Sequence, residues 1–311
     1  MTVLITGGAG FIGSNLARHI NRVSPETEVR IFDDLSTGRM SNLEGVRAQF
    51  VEGTLSDPAA VDAAVDGVTA IAHLGALGSV PRSVDNPVGS HSANLTGTLN
   101  LLEAARSRDA YVTFASSSSV YGANTALPKS EFDWTRPMSP YAVTKLGAEA
   151  YVLAYTHSYG LPTLAFRFFN VYGPYQPADH AYAAVIPRFV DAALSGQPAV
   201  VHGDGQQSRD FTHVDSVCQT LWSAIDRRLN LPDPVNLAFG TRTTLLELLD
   251  VIEDVVGGPI AREHVGSRAG DVRASQSDGV RLREYFPDVA PTPLKEGIES
   301  TVDWFRRTAE A

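Results

Sequence analysis

Cysteine is nearly absent: Cys218 is the only one among 311 residues. One thiol closes no internal disulfide and supplies no cysteine cluster for a metal. Basic residues are outnumbered, with 25 Lys and Arg against 35 Asp and Glu, for a formal charge of −10 at pH 7. That balance offers no field for a phosphodiester backbone, so nucleic acid is not an expected partner. No apolar run reaches the roughly 18 residues that a bilayer crossing needs. The N-terminus enters a strand-like stretch, Thr2-Val3-Leu4-Ile5, with no basic leader and no cleavage site. The expectation is a cytoplasmic protein with no membrane partner. Apolar bulk, in contrast, is plentiful. Hydrophobic residues make up 43% and charged residues 19%, which suits a large buried core and excludes global disorder.

Short apolar runs alternate with amphipathic stretches through the first 110 residues. The patterns predict strands at Val3–Thr6, Val29–Asp33, Gln49–Glu52, Ala70–Leu74 and Tyr111–Ala115. They predict helices at Phe11–Asn21 and Asn94–Arg106, the latter with Leu95, Leu99, Leu102 and Ala105 on one face. Strands alternating with helices imply an α/β fold, a doubly wound parallel sheet with ligands at the carboxyl ends of its strands. Beyond about Asn170 the pattern is irregular, broken by Gly173-Pro174, Gln176-Pro177 and Gln197-Pro198. Helices are predicted there at Val185–Leu194, Asp215–Arg227, Leu245–Val256 and Leu294–Arg306, forming a smaller, mostly C-terminal lobe.

The first strand runs directly into Thr6-Gly7-Gly8-Ala9-Gly10-Phe11-Ile12-Gly13, with glycines spaced GxxGxxG. Such a loop turns tightly, lets the backbone approach a pyrophosphate, and packs helix against strand. The helix start then offers free N–H groups to the phosphates. Asp33 closes the second strand 20 residues past Gly13. A carboxylate there accepts the adenosine ribose hydroxyls and repels a 2′-phosphate, which favours NAD over NADP.

Four serines, Ser116 to Ser119, follow the strand Tyr111–Ala115. Downstream, Ser139-Pro140-Tyr141-Ala142-Val143-Thr144-Lys145 reads as a capped helix start. Tyr141 and Lys145 fall at i and i+4, on one face. An ammonium one turn from a phenol favours phenolate, and a base near neutral pH is what removing an alcohol proton requires.

Glycine loop, Asp, serine cluster and YxxxK, in this order, resemble the extended short-chain dehydrogenase/reductase superfamily, and within it the nucleotide-sugar 4-epimerases. TGGAGFIGSNL, DDLSTGR, SVPRSV, NLTGTLNLLEAA, SSSSVYG, SPYAVTK, RFFNVYGP, AYAAVIPRF, GDGQQSRDF and RAGDVRAS carry the resemblance over nearly the whole chain. It implies an NAD-binding Rossmann domain over 1–170, also receiving parts of 207–240, and a substrate-binding lobe over 171–311. It implies catalysis by Ser117, by Tyr141 as base and by Lys145, which also holds the nicotinamide ribose. NAD is then expected along Gly7, Gly10, Phe11, Ile12 and Gly13. Further cofactor contacts are expected at Asp33, Leu35, Ser36, Thr37, Gly38, Thr54, Leu55, Leu74, Ala76, Asn94, Tyr141 and Phe168. A UDP-sugar substrate is expected at Ser117, Ser118, Tyr141, Asn170, Val185, His202, Arg209, Arg268 and Ser275. Asn170, Arg209 and Arg268 correspond to diphosphate contacts, a task suited to the always-charged guanidinium fork. His202 corresponds to a ring stacked on uracil. No metal is expected. Two positions depart from the pattern. Thr54-Leu55 stands where the family has Asp-Ile against the adenine, and Gly75 replaces an alanine.

The resembling families all oxidise the sugar at C4 and differ in the next step. Dehydratases carry an Asp-Glu pair after the catalytic threonine, and decarboxylases a Glu two residues after the catalytic hydroxyl. Here the positions are Ser118 and Ser119, so acid–base groups for C5 or C6 are lacking. Epimerisation needs neither. UDP-glucose, UDP-N-acetylglucosamine and UDP-glucuronate types all stay open, although the small Ser275, beside the C2 substituent in the resembling enzymes, suits an N-acetyl group. The alternatives are another enzyme of the same superfamily, a decarboxylase, a 4,6-dehydratase or a dehydrogenase or reductase with net NAD turnover, and a non-catalytic NAD sensor. A homodimer through a four-helix bundle is expected, built from Asn94–Arg106 and Tyr141–Tyr159 with Leu101 and Val152 facing outward.

Overall fold

Strand β1 (Thr2–Thr6) is flanked by β2 (Glu28–Asp33) on one side and β4 (Ala70–His73) on the other, each in parallel register. β3 (Gln49–Glu52), β5 (Tyr111–Ser117) and β6 (Thr163–Phe168) extend the sheet to the order β3-β2-β1-β4-β5-β6, with Val235–Leu237 outermost as the seventh strand. Every pair among β1 to β6 is parallel. Parallel sheets are covered on both faces, and β4 is buried at all four positions. Chain direction around the sheet reverses between β1 and β4, the crevice where doubly wound folds take dinucleotides. This is the expected α/β Rossmann sheet. The computed structural model describes residues 1–179, 183–266 and 273–309.

Two compact units are present. The first comprises Met1–Thr125, Glu131–Phe168 and Cys218–Asn236. Its core includes Leu4, Phe32, Ile71, Leu101, Leu102, Val112, Phe114 and Val152. Helix α1 (Phe11–Val23) buries Leu16, Ala17 and Ile20. Leu101 and Val152 are both 0% exposed, which corrects the expectation that they face outward. The helical spacing holds, but the apolar stripe they belong to is the one that lines the core. Exposed apolar side chains on the neighbouring helices are instead Val84, Val88, Val143, Tyr151 and Tyr159.

The stretch predicted as one helix over Asn94–Arg106 starts differently. Ser92–Thr96 forms a π-helical turn, and the α-helix runs over Gly97–Arg106. Such turns are frequent at functional positions, and Asn94 sits in this one.

The second unit comprises Ala126–Ser130, Phe169–Val217 and Leu237–Ala311. Helices Val185–Ser195, Leu245–Val256 and Leu294–Ala309 supply Ile186, Phe189, Leu248, Leu249, Ile252, Ile298 and Val302 to its core. Thr244 and Glu247 start the middle helix with a reciprocal capping box. Ser208–Arg209 lies between Thr243–Thr244 and Ala274–Ser275 in a three-stranded sheet.

Candidate active site

The carboxyl end of β1 delivers the glycine loop to α1. Gly7 takes φ +66° and its N–H bonds the Phe32 carbonyl oxygen at 2.9 Å. A Cβ at Gly13 would collide with the Gly7 carbonyl oxygen and lie 2.6 Å from Gly8 Cα. Helix α1 has no side-chain cap and no acidic residue in its first turn, so its leading N–H groups remain available to an anion. Asp33 is buried, and its carboxylate accepts from the N–H of Ala9 and of Leu35, both at 2.9 Å. Burial raises its pKa, and the two backbone bonds oppose the rise. Asp33 thus ties β2 to the glycine loop and keeps carboxylate lone pairs for ribose hydroxyls. Leu35, at φ +56°, begins the Leu35–Ser36–Thr37–Gly38 turn, which returns to the loop through Arg39 N–H to the Ala9 carbonyl. A narrow backbone cradle with an acidic strand end fits a dinucleotide.

The two departures from the family pattern pack against each other. A Cβ on Gly75 would lie 2.8 Å from Leu55 Cδ1 and 3.2 Å from Gly7 N. With leucine at 55, glycine at 75 keeps the wall beside the cradle clear. Thr54 is exposed. Ala76 and Leu74 flank Gly75, and Leu77 is pinned by Asn94, whose amide accepts from Leu77 N–H at 2.7 Å and donates to its carbonyl at 3.2 Å. The Asn94 amide also donates to Thr144 Oγ1 at 3.1 Å. Asn94 therefore ties this wall to the helix that carries Tyr141.

His73 was not among the expected site residues, yet it fixes the floor. Thr98 Oγ1 donates to the Asn94 carbonyl at 2.6 Å, so it accepts from His73 Nε2 at 2.9 Å. Nδ1 is then the acceptor for Thr6 Oγ1 at 2.7 Å, and Thr6 in turn accepts Gly75 N–H at 3.1 Å. This one-way chain requires a neutral imidazole. Burial, with the Lys145 charge adding to it, lowers the His73 pKa from 6.5 to about 3. Between those values the unfolded chain holds the extra proton. Its contribution to stability is complete above about pH 6.5 and is lost as pH falls towards 3, at up to about 1.4 kcal/mol per pH unit. The expected result is that His73→Gln flattens the acid side of the stability curve. Denaturation midpoints across this range check it, and parallel slopes for both proteins would refute it.

Ser139 caps the helix Pro140–Tyr159, accepting from Ala142 N–H at 3.2 Å. Ser83 Oγ accepts Tyr141 N–H at 3.0 Å and donates to the Val80 carbonyl at 2.7 Å, which fixes the first turn. Tyr141 shares this end of β5 with Ser117, whose hydroxyl opposes the rise that burial gives the phenol pKa. Ser117 and Phe168 are register partners on β5 and β6, which brings these two expected site residues side by side. Ser118 follows in a 3-10 turn, partly exposed. Lys145 Nζ donates to the Ala115 carbonyl at 2.7 Å and lies 5.1 Å from the Phe114 ring centroid. Burial lowers its pKa to about 8. Burial also raises the Tyr141 pKa, and the opposing pull comes from the Ser117 hydroxyl rather than from the lysine.

Behind β5 lies a second group absent from the sequence reading. Ser116 Oγ donates to Glu149 Oε2 at 2.5 Å, and Glu149 pairs with Arg167 at 2.7 Å, both side chains nearly inaccessible. Arg167 Nη1 donates to Tyr121 Oη at 2.9 Å, and Tyr121 donates to Asn236 Oδ1 at 2.7 Å. A carboxylate at i+4 from Lys145 was the available signal.

In the second unit, Asn170 sits at φ +32° and its amide donates to the Asp210 carbonyl at 3.2 Å. Arg209 is the register partner of Ser275, so the structure brings these two expected contacts together. Asp210, next in the chain, is fully buried. It accepts from Gly240 N, Thr241 N, Thr241 Oγ1 and Ser277 N at 2.8 to 3.2 Å. That anchors the strand bearing Arg209. His202 ends a different strand pair, with Nδ1 3.2 Å from the Gly266 carbonyl oxygen. Val185 opens its helix, half-buried. Arg268 lies outside the described residues. Among the described residues, no group of three His, Cys, Asp or Glu could hold a metal ion, and no helix is long and apolar enough to cross a membrane.

A glycine-loop cradle beside Ser117, Tyr141 and a buried lysine fits an NAD-dependent oxidoreductase-type site on a Rossmann sheet. The model of the NAD dependent epimerase/dehydratase family matches residues 3–238, and the chain belongs to that family. It is similar to a UDP-glucose 4-epimerase of Mycolicibacterium smegmatis, 36% identical over 100% of both chains. A solved UDP-N-acetylglucosamine 4-epimerase of Methanobrevibacter ruminantium, in complex with UDP-N-acetylmuramic acid, superposes with a TM-score of 0.92. It is 35% identical, with 99% of this chain and 98% of that one covered. A Thermus thermophilus UDP-glucose 4-epimerase in complex with NAD has a TM-score of 0.87 at 34% identity, covering 98% and 99%. A dTDP-glucose 4,6-dehydratase of Mycobacterium tuberculosis is also similar, 31% identical over 98% and 93%. NAD is the cofactor.

Proposed function

We propose that this protein is a UDP-sugar 4-epimerase. The observation that carries the reading is that Ser117, at the end of β5, is followed by two further serines in the 3-10 turn Ser118–Tyr121. A dehydratase places carboxylates at those two positions. The buried carboxylates behind β5 are committed elsewhere: Glu149 to Ser116 and Arg167, and Glu131 to Asn236 N–H at 2.7 Å.

When bound, NAD supplies the hydride acceptor and donor for C4. Tyr141 takes the O4 proton and later returns it. Ser117 holds the phenol oxygen by hydrogen bond, and the Lys145 charge, close to pKa 8, is largely retained at neutral pH. Asn170, Arg209 and Arg268 hold the diphosphate while the 4-keto sugar turns its other face. The test incubates the protein separately with UDP-glucose, UDP-N-acetylglucosamine and UDP-glucuronate. Proton NMR of a C4-inverted product, with no net absorbance of reduced nicotinamide, supports the reading. A 4-keto-6-deoxy or pentose product overturns it.

Ser275, small and in register with Arg209, admits an N-acetyl group at C2. Ser275→Tyr is expected to depress turnover of UDP-N-acetylglucosamine by about tenfold or more relative to UDP-glucose, the scale of a pocket steric effect. Equal losses on both sugars would refute this role.

Val88 is 78% and Val84 62% exposed, on short helices packed against the one that carries Val143, 53% exposed. An apolar face of this kind is an association surface, and we assign it to a homodimer in place of Leu101 and Val152. Val88→Asp combined with Val143→Asp is expected to give a monomer by sedimentation. A wild-type monomer at micromolar concentration would rule the dimer out.

A further inference from the structure

We propose that Ser119 is a positioning residue that aims the Ser117 hydroxyl at Tyr141, a role that deepens the epimerase reading and rests on it. Ser117 caps the 3-10 turn Ser118–Tyr121, and its Oγ accepts the Ser119 N–H at 3.2 Å. The Ser119 hydroxyl donates to the same oxygen at 2.9 Å. A serine oxygen has two lone pairs and one proton. Both lone pairs of Ser117 are engaged by Ser119, which leaves its one proton for a further acceptor. The proposed acceptor is the Tyr141 phenol, whose pKa the Ser117 hydroxyl pulls down. The chain runs one way, Ser119 to Ser117 to Tyr141.

Two consequences follow. Ser117 is a donor to the base and not a relay that accepts the O4 proton, so Tyr141 takes that proton directly. The donated bond favours the phenolate over the phenol, and its strength depends on the Ser117 rotor being held. Cooperative chains of hydroxyls polarise one another in the same direction. Removing the Ser119 hydroxyl leaves the backbone N–H bond but frees the second lone pair of Ser117, and its rotor gains an alternative orientation.

The test compares Ser119→Ala and Ser119→Thr on the wild-type and Ser117→Ala backgrounds. Ser119→Ala is expected to lower kcat by about three- to tenfold, the scale of one hydrogen bond, with KM for the sugar unchanged. The Tyr141 ionisation, read as the ultraviolet difference between each protein and its Tyr141→Phe counterpart, should move to higher pH. Ser119→Thr should restore both. On the Ser117→Ala background, Ser119→Ala should add nothing, because its effect passes through Ser117. Wild-type kcat and an unmoved Tyr141 titration in Ser119→Ala would overturn the proposal. So would an equal loss on both backgrounds, or a threonine that rescues neither readout. The titration needs no sugar. If wild type turns over no UDP-sugar while the titration still shifts, the epimerase reading falls and the Ser119 role stands.

Discussion

Tyr141→Phe is expected to lower epimerase kcat by about 10²- to 10⁴-fold, the usual worth of a positioned acid–base group. The substitution keeps the ring, the helix and the Tyr141 N–H bond to Ser83, and removes only the phenol oxygen. Nothing in the glycine loop or at Asp33 depends on that oxygen, so NAD binding should stay within a few-fold of wild type. Loss of turnover with cofactor retained is therefore the expected pair of results, measured by NMR of the sugar and by fluorescence titration of NAD. A variant that epimerises at the wild-type rate would remove Tyr141 from the chemistry. It would also revive the reading of the fold as a non-catalytic NAD sensor, which has no use for a base.

How much of this was legible depends on whether a residue's role is local. Strands β1 to β5 and helix α1 follow from apolar runs and helical spacing, and the structure places them within one or two residues of the pattern. Strand β6 is hidden from such a pattern because Arg167 interrupts it. The arginine is a core residue whose partner, Glu149, lies 18 positions away. The π turn at Ser92–Thr96 has no signature in periodicity either. Spacing brought Tyr141 and Lys145 to one helix face, but which atoms they meet is tertiary: the lysine reaches the Ala115 carbonyl, and the Tyr141 N–H reaches Ser83. Leu101 and Val152 show the same limit, since a helical stripe announces that a face is apolar and not which neighbour covers it. The hydroxyl chain through Ser119 likewise needs coordinates, because a run of four serines reads as a polar turn until each proton has an acceptor.

The largest expected loss of stability comes from Glu149→Ala. The Arg167 and Glu149 side chains are only 6% and 3% exposed. Arg167 stays charged at any accessible pH, so removing Glu149 strands a buried guanidinium and leaves the Ser116 hydroxyl without its acceptor. Breaking one side of a buried pair costs about 3–5 kcal/mol, a large share of the roughly 5–15 kcal/mol that holds a domain folded. Thermal and urea denaturation should both register it, with Tm falling on the order of 10 °C. Glu149→Gln keeps an acceptor for Ser116 and loses the charge, so it should fall between wild type and Glu149→Ala. The double variant Glu149→Met, Arg167→Met separates the causes. If the stranded charge is what costs, replacing both partners by apolar side chains should recover much of the loss. Recovery will stop short of wild type, because Tyr121 also loses the Arg167 donor and Ser116 still lacks its acceptor. A Glu149→Ala protein within about 1 kcal/mol of wild type, the scale of an exposed pair, would mean that the pair is solvated in solution and does not brace the strand that carries Ser117.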